Sequence, residues 1–116
     1  QRKQNLTNKI LSMQISKGLK LIRNLKKIII SYEPVWSIGT GIIPTLEELT
    51  KTTSFIRDKL NKKFKNKHSM KIIYGGSVNT KNIMKLTTIQ GINGFLIGGA
   101  SQSEKKFIDI IKNCYM

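Results

Sequence analysis

Glu33 stands directly before Pro34, and a residue in that position is biased toward extended backbone. The carboxylate is therefore expected at the end of a strand, aimed out of it. A carboxylate that loses its water becomes a base able to take a proton from a carbon next to a carbonyl. One that keeps its water is an ordinary solvated strand end. Three glycine-bearing segments accompany it: Gly39 and Gly41 in the loop that follows, Gly75-Gly76-Ser77, and Gly98-Gly99-Ala100-Ser101. Glycines let backbone amides approach an anion closely, and amides that converge where short helices begin favour a dianion such as phosphate without any lysine. Ordinary turn formation is the alternative for each segment.

Those residues need elements to hold them, and the apolar spacing supplies a set. From Thr7 to Leu21, Leu11, Ile15, Leu19 and Ile22 recur every three or four positions, the face of an amphipathic helix. Lys26 to Glu33 is short and rich in β-branched residues, as a parallel strand buried on both faces is. Thr45 with Glu48 three residues on forms a capping box that opens a second helix, with Leu49, Thr53, Ile56, Leu60 and Phe64 as its inward stripe. Lys71 to Tyr74 reads as a second strand, followed by a glycine turn and a short helix capped by Asn79 or Thr80 and ending near Leu86. Phe95 to Ile97 reads as a third strand, and a last helix from about Glu104 turns Phe107, Ile110, Ile111 and Cys114 inward. The order α-β-α-β-α-β-α predicts an α/β fold with a parallel sheet, whose strand-end loops all gather on one edge.

Composition narrows the partners. The 116 residues carry 21 Lys+Arg against 6 Asp+Glu, a net charge of +15. A clustered basic face would bind nucleic acid by releasing counterions, and a basic nucleic-acid-binding module is one reading of that surplus. Only Lys59 to Lys67 is dense, however, and it falls where a helix ends and cations suit the dipole. Aromatics do not interleave with the lysines as single-strand binders require. We therefore expect no nucleic-acid partner. Cys114 is the only cysteine, which excludes an internal disulfide framework and a cysteine-based zinc site and favours a reducing, cytoplasmic setting. No metal is implied. Apolar runs such as Ile28 to Ile30 fall far short of the roughly 18 residues of a membrane span, so no membrane partner is expected. His68 precedes the second strand and is expected as a solvated loop residue away from any site, and Cys114 as a small core residue.

Three phrases stand at the three strand ends: YEPVWSIGTG from Tyr32, YGGSV from Tyr74 and GFLIGGAS from Gly94. In this order they resemble the triosephosphate isomerase family over essentially the whole chain. The resemblance implies that residues 1–116 are the C-terminal portion of a single (β/α)8 barrel domain, about strands six to eight with their helices. It implies Glu33 as the proton acceptor in the interconversion of dihydroxyacetone phosphate and D-glyceraldehyde 3-phosphate, a step of glycolysis and gluconeogenesis that uses no cofactor. Pro34, Val35, Trp36, Ser37, Ile38, Gly39, Thr40 and Gly41 match the family's mobile lid. Gly39, Ser77, Gly98 and Gly99 match its phosphate contacts, and Tyr74 the residue that hydrogen-bonds the closed lid. Trp36 is either a packing anchor or part of the gate. Ser37 stands where Ala is usual, and Ile42-Ile43 replaces the commoner Lys-Thr or Lys-Val at the trailing hinge.

An Asn-x-Lys and a neutral histidine that the family also uses have no counterpart in the sequence, and three strands cannot close a barrel of eight strands and about 250 residues. The chain also begins at Gln1 without an initiator Met. The expectation is thus a portion lacking the N-terminal half, inactive alone, whose full-length form resembles a homodimeric enzyme acting on a triose phosphate. Another phosphate-binding barrel enzyme would share the glycine loops. It would not share YEPVW followed by IGTG.

Overall fold

A computed structural model describes residues 2–65 and 70–115, so His68 and Lys67 lie outside the described residues. The chain runs α1 (Arg2–Gly18), β1 (Ile29–Tyr32), a 3-10 turn (Val35–Ser37), α2 (Leu46–Phe64), β2 (Lys71–Gly76), α3 (Ile83–Leu86), β3 (Gly94–Ile97), a second 3-10 turn (Gly99–Gln102) and α4 (Glu104–Tyr115). The strands form one sheet in the order β1-β2-β3, parallel throughout, with Ser31 opposite Ile73 and Ile73 opposite Gly94. This is the alternating α/β arrangement that the apolar spacing predicts.

Local chemistry sets the elements. Thr45 stands extended before α2 and its Oγ1 accepts the Glu48 N–H at 3.1 Å, satisfying one of the amides that a helix start leaves unpaired. All five residues of the anticipated stripe, Leu49, Thr53, Ile56, Leu60 and Phe64, are buried. The helix stops at Lys65 in the left-handed region, whose N–H returns to the Asn61 carbonyl. Asn79 Oδ1 accepts from the Lys81 and Asn82 amides in the turn ahead of α3, but the helix begins only at Ile83 with Asn82 as its N-cap, so neither Asn79 nor Thr80 caps it as expected.

Side chains alternate across the sheet. Ile30, Tyr32, Ile72, Tyr74, Phe95 and Ile97 face the helices and pack into two apolar clusters, one around Ile56, Leu60 and Ile72, the other around Leu49, Tyr74 and Ile83. The opposite face carries Ile29, Ser31 and Glu33 on the β1 side, Gly75 on β2 and Leu96 on β3. Among the described residues this second face stays open, with Ile29 60% and Leu96 47% exposed. The expectation of a first strand buried on both faces is thereby corrected: β1 is four residues long and alternates exposed and half-buried.

Three further expectations change. The first helix ends at Gly18, leaving Leu21 and Ile22 outside it and exposed. Gly75 and Gly76 belong to strand β2 instead of a turn. On α4 only Ile110 is buried. Phe107 and Ile111 are 37% and 42% exposed, because α4 packs chiefly on α3 and the second 3-10 turn, which cover only part of its apolar stripe. Cys114 is half-buried against the Leu49 cluster, as expected of a small core residue.

At the end of the sheet where β2 and β3 begin, Arg57 of α2 crosses between elements. Its guanidinium donates to the Gly91 carbonyl at 2.6 Å and the Met70 carbonyl at 3.3 Å. Asn93 completes the tie: its Oδ1 accepts the Ile72 N–H at 2.9 Å while its own N–H donates to the Ile72 carbonyl at 2.7 Å. Among the described residues no helix is long and apolar enough to cross a membrane.

Candidate active site

At the opposite edge, β1 delivers the chain into the loop 34–41. Pro34 is buried and its carbonyl accepts the Ser37 N–H at 2.8 Å, so the loop begins with one tight 3-10 turn. Val35, Trp36 and Ile38 then point to solvent. The tip closes on itself through Thr40, whose Oγ1 donates to the Trp36 carbonyl at 3.0 Å and accepts the Ile42 N–H at 3.1 Å. Gly39 (φ +68°) and Gly41 (φ +78°) lie in the left-handed region, which a side chain would strain. Lys3 places its ammonium 5.4 Å from the centre of the Trp36 ring, within cation–π range. Trp36 is thus anchored from outside by a charge and is not packed in the core.

The end of β2 meets this loop through hydroxyl groups. Ser37 is fully buried, and its Oγ lies 2.6 Å from the Ile42 carbonyl and 2.7 Å from the Tyr74 hydroxyl. A serine has one hydroxyl proton and a carbonyl can only accept, so Ser37 donates to Ile42 and Tyr74 donates to Ser37. Burial pushes the Tyr74 hydroxyl above the usual tyrosine range, partly offset by its bond to Ser37, which keeps it a donor. Ser77 binds the same segment twice. Its Oγ donates to the Ser37 carbonyl at 2.5 Å and accepts the Gly41 N–H at 2.8 Å. Asn82 in turn holds Ser77, donating Nδ2 to its carbonyl at 2.6 Å.

The two strand glycines leave space instead of providing a turn. A Cβ on Gly75 would stand 2.8 Å from Glu33 Cγ and 3.3 Å from Leu96 Cβ, so Glu33 lies across β2 on the open face of the sheet. A Cβ on Gly76 would collide with the Tyr74 hydroxyl and Ser37 Oγ. Glu33 itself accepts a hydrogen bond from Ser31 Oγ at 2.9 Å and is exposed. The dehydrated carboxylate anticipated from its chemistry is absent here, since nothing among the described residues covers that face.

Beside these groups lies an open cleft of about 420 Å³. Gly39, Ser77 and Gly99 reach it from three different strand ends, and Lys81 and Lys106 stand at its wall. Gly98 sits one residue behind Gly99, its carbonyl accepting from the Ser101 N–H and Oγ at 2.9 and 2.6 Å. Glu33 does not line this cleft; it borders a groove between β1 and α1. Among the described residues no group of three acidic, histidine or cysteine side chains could hold a metal ion. Of the residues around the cleft, Lys81, Lys106 and Asn82 carry no motif of their own, and spacing alone does not single them out. Ser37 carries one faint signal, the hydroxyl where a methyl is usual.

A parallel α/β protein with a loop-built cleft at the carboxyl ends of its strands is the class that fold and geometry define. The chain belongs to the triosephosphate isomerase family, whose family model, described as triosephosphate isomerase, matches residues 1–114. Proteins named triosephosphate isomerase that resemble it include one from Amoebophilus asiaticus, 48% identical over 91 residues, 77% of this chain and 36% of that relative. One from Thermodesulfovibrio yellowstonii is 40% identical over 112 residues, 96% of this chain and 46% of the relative. One from Debaryomyces hansenii is 39% identical over 115 residues, 97% and 46%. The chain thus spans less than half the length of these relatives.

Proposed function

We propose that the chain is the C-terminal portion of a single triosephosphate isomerase barrel domain, carrying its sixth, seventh and eighth strands as β1, β2 and β3. The whole protein interconverts dihydroxyacetone phosphate and D-glyceraldehyde 3-phosphate, in the cytoplasm and as a homodimer. The observation that carries this reading is the convergence of Gly39, Ser77 and Gly99 on one cleft while Glu33 stands across the adjoining strand. A phosphate dianion in the cleft is held by the amides of Gly39, Gly98 and Gly99 together with Ser77, with the short-helix ends favouring its charge. Lys81 and Lys106 add a long-range attraction. The same phosphate anchors the triose so that its carbons lie along the open face toward Glu33. Glu33 takes a proton from the carbon beside the carbonyl and returns it to the neighbouring carbon, through an enediolate. Proton transfer between adjacent carbons changes no oxidation state overall, and no cofactor takes part. The loop 34–41 closes over the site and keeps water from the enediolate.

Closure of the remaining face, which the open sheet lacks, is what would exclude water from around Glu33. We therefore expect the 116-residue chain alone to show no turnover. In a coupled assay the full-length protein is expected to isomerise D-glyceraldehyde 3-phosphate and to be inhibited by small phosphorylated mimics of the enediolate. A full-length protein that binds such mimics and turns over no triose phosphate would belong to a different phosphate-site barrel enzyme, and the reading would fall.

A further inference from the structure

The loop 34–41 is exposed almost everywhere, yet one of its side chains is wholly buried. That side chain is Ser37, and it joins three segments at once. Its Oγ donates across the loop to the Ile42 carbonyl, tying the outgoing leg to the returning leg. It accepts from Tyr74, whose ring is fixed in the Leu49 cluster. Its carbonyl takes the Ser77 hydroxyl, while Ser77 takes the Gly41 amide at the far side of the tip. The tip residues 38–41 therefore hang from a closed ring of hydrogen bonds, and the Ser37 hydroxyl is the member that connects both legs with the sheet. An alanine at this place, the residue usual where the resemblance runs, keeps the backbone bonds and loses the hydroxyl ones. It leaves the Ile42 carbonyl and the Tyr74 hydroxyl without this partner.

We propose that Ser37 is a positioning residue of the lid, whose hydroxyl clasps both loop legs to Tyr74 and so sets Gly39 over the cleft shared with Ser77 and Gly99. The proposal rests on the functional reading for its consequence in catalysis, but the clasp itself is a mechanical property of the loop. Ser37 touches no reacting atom; it acts through the Gly39 and Gly41 amides.

Trp36, the only tryptophan of these 116 residues and the immediate neighbour of Ser37, makes this measurable once any tryptophan elsewhere in the full-length protein is replaced by phenylalanine. The experiment compares wild type, Ser37→Ala, Tyr74→Phe and the double variant of the full-length protein by acrylamide quenching of Trp36, hydrogen exchange at the Gly41 amide, and inhibition by inorganic phosphate. Ser37→Ala is expected to raise the quenching constant, to speed Gly41 exchange about tenfold, and to raise the half-inhibiting phosphate concentration by a similar factor, the worth of about one buried hydrogen bond. Tyr74→Phe loses only the bond shared with Ser37 and leaves Ser37 bonded to Ile42, so it is expected to move the same readouts in the same direction by less, and the double variant to match Ser37→Ala, because the shared bond is lost only once. The thermal midpoint is expected to fall by only about 2–4 °C for Ser37→Ala, because the loss of about one buried hydrogen bond is small for a domain of about 250 residues.

Unchanged quenching and exchange in Ser37→Ala would overturn the clasp. So would additive effects in the double variant, which would mean that the two hydroxyls act separately. Changed quenching and exchange in a full-length protein without isomerase activity would uphold the clasp while removing the functional reading.

Discussion

The two faces of the sheet are built from alternate residues of the same short strands, yet they obey different rules. The helix-covered face carries Ile30, Tyr32, Ile72, Tyr74, Phe95 and Ile97, apolar or aromatic throughout, and its neighbours Leu49 and Ile83 are completely buried. The open face carries Ser31, Glu33 and Gly75, with Ile29 and Leu96 exposed. On the covered face residue type follows volume and hydrophobicity. On the open face apolar Ile29, Ile73 and Leu96 stand beside polar Ser31 and Glu33, and Gly75 leaves room for that carboxylate. Stability and chemistry are thus separated by a single step of the strand's two-residue period.

Substitutions on the two faces are expected to break that separation in opposite ways. The largest effect falls on activity: Glu33→Asp withdraws the carboxylate by one methylene, and misplacement of a reacting group by about 1 Å costs about 10²-fold. In steady-state kinetics of the full-length protein, kcat should drop by at least that factor while the urea midpoint stays close to wild type. A near-wild-type kcat would take Glu33 out of the proton transfer.

The next effect falls on stability. Leu49→Ala empties a fully buried site and is expected to cost about 2–5 kcal/mol in urea unfolding of the full-length protein. Leu96→Ala in the 116-residue chain, where that side chain is half open to water, should change stability by about 1 kcal/mol or less. A loss of about 2 kcal/mol or more for Leu96→Ala in that chain would mean that the open face is covered in solution.

The smallest effect is one of pH. Tyr32 and Tyr74 stand on the covered face with ring centres 6.5 Å apart, and burial raises both hydroxyls above their ordinary value of 10.0. For Tyr32 a bond to Thr52 opposes that rise, while nearby Tyr74 and Glu48 add to it. Each holds its proton more tightly folded than unfolded, so the stabilisation is complete below the unfolded value and falls as pH rises through the higher folded values. Urea midpoints recorded upward from about pH 8 should therefore hold level until about pH 10 and then decline. Tyr74→Phe should make that decline shallower, and an unchanged slope would separate Tyr74 from it.

How much of this the sequence discloses depends on which force sets each feature. The α2 stripe from Leu49 to Phe64 is fully legible, since a helix covering a sheet must repeat its apolar residues at the helical period. The strand-end phrases likewise bring Gly39, Ser77 and Gly99 to one edge as their order implies. Phe107 and Ile111 mislead because apolar spacing marks the face a helix can bury, and α4 buries only Ile110 against the chain described here. Gly75-Gly76 reads as a turn from glycine's backbone freedom, whereas its reason is spatial: Glu33 and the Ser37–Tyr74 pair occupy the volume side chains would need. Ser37 is the hardest case. Its partners lie 5, 37 and 40 positions away along the chain, and no local pattern joins them.

Arg57 and Asn93 fasten the far edge of the sheet with bonds that run mostly to main-chain carbonyls and amides, groups every residue supplies. Strand register at that end is consequently indifferent to which side chains occupy the loops at the other. Such an arrangement gives inheritance room to experiment: mutations in the loop 34–41 can be tried and kept or discarded without first endangering the scaffold. The serine at position 37 and the paired isoleucines at 42 and 43 stand at the permissive end, where a lineage can change the loop one residue at a time.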